Sequence, residues 1–212
     1  MAGISLVLLD LNGVLYRYDR DVRIAHLASV CGWTAAAVRA AIWDSGFEDS
    51  GDAGALDADG YLAAFGARIG CDLPESEWVE AQRAAVEPIG PTIRLLPRLR
   101  ADVACAVLTN NNLLVARHFE DLYPEVAALV EGRALVSAAF GLGKPEPEVY
   151  RRCLQRLGVP PAAALFVDDS EANVAGARAA GLRGHVYVSP GQLETELHKL
   201  GLLAARSSAG GV

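Results

Sequence analysis

The sequence predicts an α/β fold, a three-layer core of parallel strands covered by helices, with a helical block inserted after the first strand. Three observations carry that expectation. Short apolar runs alternate with segments of helical spacing, the pattern of a parallel sheet buried on both faces. The stretch from Tyr16 to Pro88 reads as a series of helices with no convincing strand. Several apolar runs also stop on polar residues, and a parallel sheet would bring those stops to one edge. With 212 residues, 52% of them apolar, the chain can bury a full core.

Taken in order, the apolar runs predict strands over 5–9, 103–108, 134–137, 164–167 and 185–188. Helical spacing falls at 113–123, 146–157, 171–180 and 192–202. The Leu-rich "TIRLLPRLR" predicts a further helix packed on the sheet, with its arginines in water. Within the inserted block, helices are expected at 22–31, 34–44, 57–69 and 75–87, with Thr34 capping the second and Pro74 opening the last. Between them, "GFEDSGDAG" reads as a flexible loop. The division is therefore a Rossmann-like core at 1–15 and 89–204, a helical cap at 16–88, and a disordered tail at 205–212.

Composition excludes several classes of function. A net charge of −7 and the lack of any basic cluster beyond Arg151-Arg152 argue against a nucleic-acid or anionic-membrane surface. The N-terminal run has no basic leader, and no run approaches the roughly 18–20 apolar residues of a membrane span. Cys31, Cys71, Cys105 and Cys153 never form C-x-x-C, so buried thiols are expected rather than a disulfide frame or zinc site. These features point to a soluble cytoplasmic protein, monomer or homodimer.

Four polar segments follow predicted strands: Asp10-Leu11-Asn12-Gly13-Val14, Thr109-Asn110-Asn111, Lys144-Pro145, and Asp168-Asp169-Ser170. Three carboxylates brought together cannot all stay ionised without a cation, and hard oxygen donors of this kind suit Mg²⁺. A lysine ammonium, a threonine hydroxyl and backbone amides at a strand–helix turn suit a bound phosphate. A carboxylate held between metal and phosphate can attack phosphorus. The set reads as metal-assisted phosphoryl transfer from a small phosphorylated substrate.

These segments resemble the motifs of the haloacid dehalogenase-like (HAD) hydrolase superfamily: D-x-D-x-[TV], a strand ending in Ser/Thr, a lysine, and an acidic pair. The chain shows "DLNGV", "LTNN", "GKPEPEVY" and "FVDDSEANVAGARAAG" in that order. The helical insertion is similar in placement to the family's C1 cap, and the last two motifs resemble the phosphatase domain of soluble epoxide hydrolases. The resemblance implies that Asp10 is the nucleophile and a metal ligand, and that Asn12 offers its backbone carbonyl to Mg²⁺. It makes Asp169 a direct ligand, with Asp168 either ligating or holding a metal-bound water. Thr109 and the Asn110 amide would hold the phosphoryl group, Lys144 would neutralise its charge, and Asn173 would orient the acidic loop.

Asn12 departs from the family's second acid, which protonates the leaving group and later activates water. An amide cannot exchange a proton at neutral pH, and general acid–base help is worth about 10²–10⁴ in rate. The sequence leaves four readings open: a phosphatase restricted to good leaving groups, a proton supplied by another residue such as one from the cap, a phospholigand-binding protein without turnover, or an asparagine introduced to trap a complex. A metal-free haloacid dehalogenase is the weaker rival, because that chemistry has no use for the acidic pair.

Other features read more plainly. Ser170 and Asp57 are expected as helix caps, and "FGLGKP" lacks the glycine spacing of a P-loop. Trp33, Trp43 and Phe47 are expected in the core of the insertion. His26, His118, His185 and His198 have no metal-ligand spacing, and Tyr16 and Arg17 serve either the cleft or a hinge.

Overall fold

In the computed structural model, which describes residues 3–204, the strands are β1 (Leu6–Leu9), β2 (Tyr16–Tyr18), β3 (Val86–Pro88), β4 (Ala104–Thr109), β5 (Ala134–Val136), β6 (Ala164–Asp168) and β7 (Arg183–Val186). The predicted tail at 205–212 lies outside the described residues. Five strands form one parallel sheet in the order β5-β4-β1-β6-β7. Chain order runs outward from β1 in one direction and then restarts on its other side at β6. The crevice for a ligand in such a sheet lies at that reversal, beyond the carboxyl ends of the strands. Leu9 is in register with Val107 on one side and Val167 on the other, so the residues that follow it emerge at the reversal.

Alternation in β1 explains the layers. Leu6 and Leu8 join Phe166, Tyr150, Leu154 and Ala177 on one face, under the helices Pro147–Leu157 and Glu171–Ala179. Val7 and Leu9 join the opposite cluster with Leu114, Val126 and Leu193. That second cluster continues into the insertion through Tyr61, Phe65 and Trp78, all fully buried. No helix among the described residues is long and apolar enough to cross a membrane.

The insertion differs from expectation in four places. Tyr16–Tyr18 and Val86–Pro88 pair as a two-stranded antiparallel ribbon where no strand was expected, because each is too short to show alternation. The segment read as a flexible loop contains the helix Phe47–Asp52, whose Phe47 is buried in the insertion core. The helix expected over 34–44 is α-helical only at Ala35–Arg39 and widens into a π turn at Ala40–Asp44. The last helix stops at Ala84, short of the predicted 87, where β3 begins.

In the rest of the chain, the helix expected over 113–123 is broken into Leu113–Arg117 and Phe119–Leu122, and Pro124 opens another, Pro124–Val130. "TIRLLPRLR" yields only Gly90–Ile93 and a 3₁₀ turn, Leu96–Arg98, since Pro97 cannot continue an α-helix. Lys144-Pro145 does not itself open a helix, which begins two residues later at Pro147. The expected caps are present: Thr34, Asp57 and Ser170 each accept a backbone N–H in the first turn of their helix. Cys105 and Cys153 are buried, but Cys31 and Cys71 are half-exposed, contrary to the expectation of four buried thiols; all four are free.

Candidate active site

The first segment is a tight loop beyond β1. Asp10 donates its N–H to Val167 O at 2.8 Å, extending the sheet by one residue and seating its carboxyl at the reversal. Leu11 O then accepts N–H bonds from both Leu15 and Tyr16, and Gly13 N–H is bonded to Tyr16 O. Gly13 sits at φ +88°, a conformation suited to glycine, and a Cβ there would lie 2.2 Å from Asp169 Oδ2. The close approach puts the Asp169 carboxylate directly against the loop that follows β1.

Beyond β4, Thr109 is buried and its hydroxyl accepts a bond from Asn111 Nδ2 at 2.8 Å, which leaves its own proton free to donate. Asn110 pins the third segment in place: its Oδ1 accepts Lys144 N–H at 2.8 Å and its Nδ2 donates to Lys144 O at 2.9 Å. Lys144 is thereby aimed inward. Its ammonium lies 2.7 Å from Asp10 Oδ1 and 2.7 Å from Asp168 Oδ2, with both partners buried. Burial works to lower the Lys144 pKa, but the two carboxylates outweigh it and hold the lysine charged.

Asp168 is wholly buried and saturated. Its Oδ1 accepts Ser170 N–H and Asn173 Nδ2, and its Oδ2 accepts Lys144 Nζ and Asn173 Nδ2. Asp169 is exposed beside it. Burial pushes the Asp10 pKa up to about 6, opposed by Lys144 and reinforced by Asp168. The Asp169 carboxyl is likewise raised, by burial and by its neighbour Asp168. One ammonium thus faces three carboxylates, an imbalance that a hard dication among them would correct.

The donor set fits that cation. Asp10, Asp168 and Asp169 each offer a carboxylate oxygen within 4.8 Å of the other two. Asp10 and Asp169 carry the fewer competing contacts. A cation drawing on Asp168 would reach it through water or by displacing one of its present partners. The seven residues expected at the site therefore lie at the ends of β1, β4 and β6 and on the loop before Pro147, at one edge of the sheet.

Sequence reasoning missed the roof of the site. A cavity of about 270 Å³ opens over Asn12, Asn110 and Asn111 and is covered by Arg23, Trp43, Glu48, Asp52 and Gln82 from the insertion. Arg23 is buried, ion-paired with Glu48, and stacked 5.0 Å from the Trp78 ring centroid. Tyr61 donates its hydroxyl to the same Glu48. Trp43 packs against the insertion core as expected and also lines this cavity, whereas Trp33 is exposed. Tyr16 is buried with its hydroxyl on Glu125, and Arg17 is exposed on Glu87, so both belong to the ribbon and not to the cleft. The signal that could have revealed the roof is the acid spacing in "FEDSGD": Glu48 and Asp52 stand four apart on one helix face.

Gly176 fixes the lysine loop from behind, since a Cβ there would lie 1.9 Å from Pro145 O. Alanine would ordinarily favour the helix by about 1 kcal/mol. Here Gly176→Ala is expected to lower stability by about 1–3 kcal/mol, from the strain of overpacking against backbone. Thermal melts check this; a stabilised variant would contradict the contact.

Comparison with known proteins gives one family and several relatives. The haloacid dehalogenase-like hydrolase family matches residues 4–181. Phosphatase MT3486 of Mycobacterium tuberculosis is 37% identical over 93 residues, 44% of this chain and 42% of that protein, so the match spans less than half of that relative's length. Sesquiterpene phosphatase astK of Aspergillus oryzae is 28% identical over 189 residues, 82% of this chain and 85% of that protein. Among solved structures, the HAD family enzyme BT-2542 of Bacteroides thetaiotaomicron, crystallised with magnesium and inorganic phosphate, superposes with a TM-score of 0.70 at 21% identity, covering 88% of this chain and 95% of that one.

Proposed function

Because the chain belongs to the haloacid dehalogenase-like hydrolase family, we propose that it hydrolyses a small phosphorylated metabolite with Mg²⁺, through an aspartyl-phosphate on Asp10. The observation that carries this reading is the Lys144 ammonium, 2.7 Å from Asp10 and buried with it at the sheet's reversal point. An ammonium so placed draws a phosphate dianion towards the carboxylate that is to attack it, and keeps that carboxylate ionised. The relatives' names include phosphatases, and a structural neighbour carries magnesium and phosphate.

In this reading, Asp10, Asp169, Asp168 and the Asn12 carbonyl would hold the magnesium ion. That ion would supply charge neutralisation for the phosphoryl oxygens. The Thr109 hydroxyl and the Asn110 N–H bind the phosphoryl group, and Lys144 balances its charge. Asp10 attacks phosphorus, the alcohol oxygen departs, and water later cleaves the acyl-phosphate to free Asp10. The helical insertion (16–88) acts as the cap of a core comprising 1–15 and 89–204, and its roof excludes bulk water.

A panel of acetyl phosphate, p-nitrophenyl phosphate and alkyl phosphates, read as released phosphate with Mg²⁺ and with EDTA, tests the proposal. Magnesium-dependent release from at least the two activated compounds is expected. Tight phosphate binding without release would favour a phospholigand-binding protein, and release unaffected by EDTA would remove the metal from the reading.

A further inference from the structure

The two cavities flanking the site share two acids, Asp49, which is exposed, and Asp52, which is half-buried. Asp52 lines the 270 Å³ cavity together with Asn12, and it also lines a second space of about 370 Å³ together with Asn110 and Lys144. It is the last residue of the helix Phe47–Asp52, and its placement is fixed by the core. The Ser137 hydroxyl donates to Asp52 O at 2.6 Å while accepting Asn111 N–H at 3.0 Å. Two residues on, Gly54 lies so close to the chain beyond β5 that a Cβ would sit 2.4 Å from Ala138 O. Asp52 is thus clamped to the loop that follows Thr109.

The roofed cavity is built for a polar occupant. Buried Gln82 leaves Oε1 without a partner, buried Arg23 leaves Nε and Nη2 without partners, and the Asn12 Oδ1 is likewise buried and unpaired. Resting on the phosphatase reading above, we propose that Asp52 is the general acid–base that Asn12 cannot be. As the P–O bond to the substrate's alcohol breaks, the Asp52 carboxyl gives its proton to the departing oxygen. The resulting carboxylate then takes a proton from the water that attacks the aspartyl-phosphate, which restores the acid.

The charges around Asp52 support the role. Glu48 and Asp49 on its own helix repel a further negative charge, and Arg23, the nearest cation of the insertion, is committed to Glu48. Tyr61 faces the group from the next helix, and Lys144 and Glu146 face it from the core. Burial first, then Glu48, raises the Asp52 pKa to about 8, against the pull of Arg23. Near neutral pH the carboxyl is therefore mostly protonated, as a proton donor must be.

Aryl phosphates of one shape and different leaving ability test the assignment, with the pre-steady-state burst of phenol isolating P–O cleavage. Asp52→Asn is expected to slow the burst from phenyl phosphate by about 10²–10⁴ while slowing that from p-nitrophenyl phosphate far less. The alkaline limb of the phenyl phosphate pH profile, near pH 8, should vanish in that variant. Asn12→Asp combined with Asp52→Asn should restore most of the rate lost in Asp52→Asn, an outcome that a misfolded variant would not give. The assignment is overturned if Asp52→Asn keeps its phenyl phosphate burst within about threefold of the wild type, or loses both substrates equally with no rescue by Asn12→Asp. If the wild type releases no phosphate even from acetyl phosphate, the phosphatase reading falls and the role of Asp52 with it.

Discussion

Replacing Asp10 with asparagine is expected to lower phosphate-ester turnover by roughly 10⁴-fold or more, because an amide cannot form the acyl-phosphate. The change is nearly isosteric and should spare the fold. It removes a carboxylate whose burial already favours the neutral form, and Lys144 retains Asp168 as its partner. The two properties should therefore separate, with activity lost and the melting temperature little altered. Intact-protein mass spectrometry after rapid quench adds a direct check, since only the wild type should carry an added phosphoryl group. Turnover that survives in Asp10→Asn would remove Asp10 from the chemistry.

The second large effect falls on stability. Lys144→Met would leave the Asp10 and Asp168 carboxylates buried side by side with no cation of the chain between them. Breaking a buried pair in this way costs about 3–5 kcal/mol, and here one lysine serves two acids. The sign of the pH dependence follows. Without the ammonium, the folded-state pKa of Asp10 rises further above its unfolded value, so the penalty is full at alkaline pH and fades as pH falls through the raised pKa. Asp10 already sits at about 6 with the lysine present. Urea unfolding at pH 8 and pH 5 should show Lys144→Met far below the wild type at the higher pH and closer to it at the lower. Equal stability of the two proteins at pH 8 would mean that the pair is not closed in solution.

Most of the core was legible because its signals are local and strong. The apolar runs that became β1, β4 and β6 each end on one of the polar segments of the site. Asp10 stood out for the same reason, as a carboxylate at the end of a buried strand has no packing explanation. The ribbon was invisible since three-residue strands are too short for a period, and Gly46 and Gly51 disguised the helix Phe47–Asp52 as a loop. Asn110 as the clamp on Lys144 and Ser137 as the link to Asp52 are long-range contacts, separated by 34 and 85 residues from what they position. No local pattern encodes such pairings. They exist only once the sheet has brought the loops together.

The β2–β3 ribbon has a consequence for how this architecture can vary. Tyr16 and Pro88 are direct register partners, so the chain leaves the sheet and returns to it at the same place. Everything between them hangs from a closed stem, much as a hairpin loop hangs from a nucleic-acid duplex. Lengthening such a loop twofold costs only about 0.6 kcal/mol in closure entropy. New specificities can therefore be grafted at this stem while the strands beneath it keep their spacing.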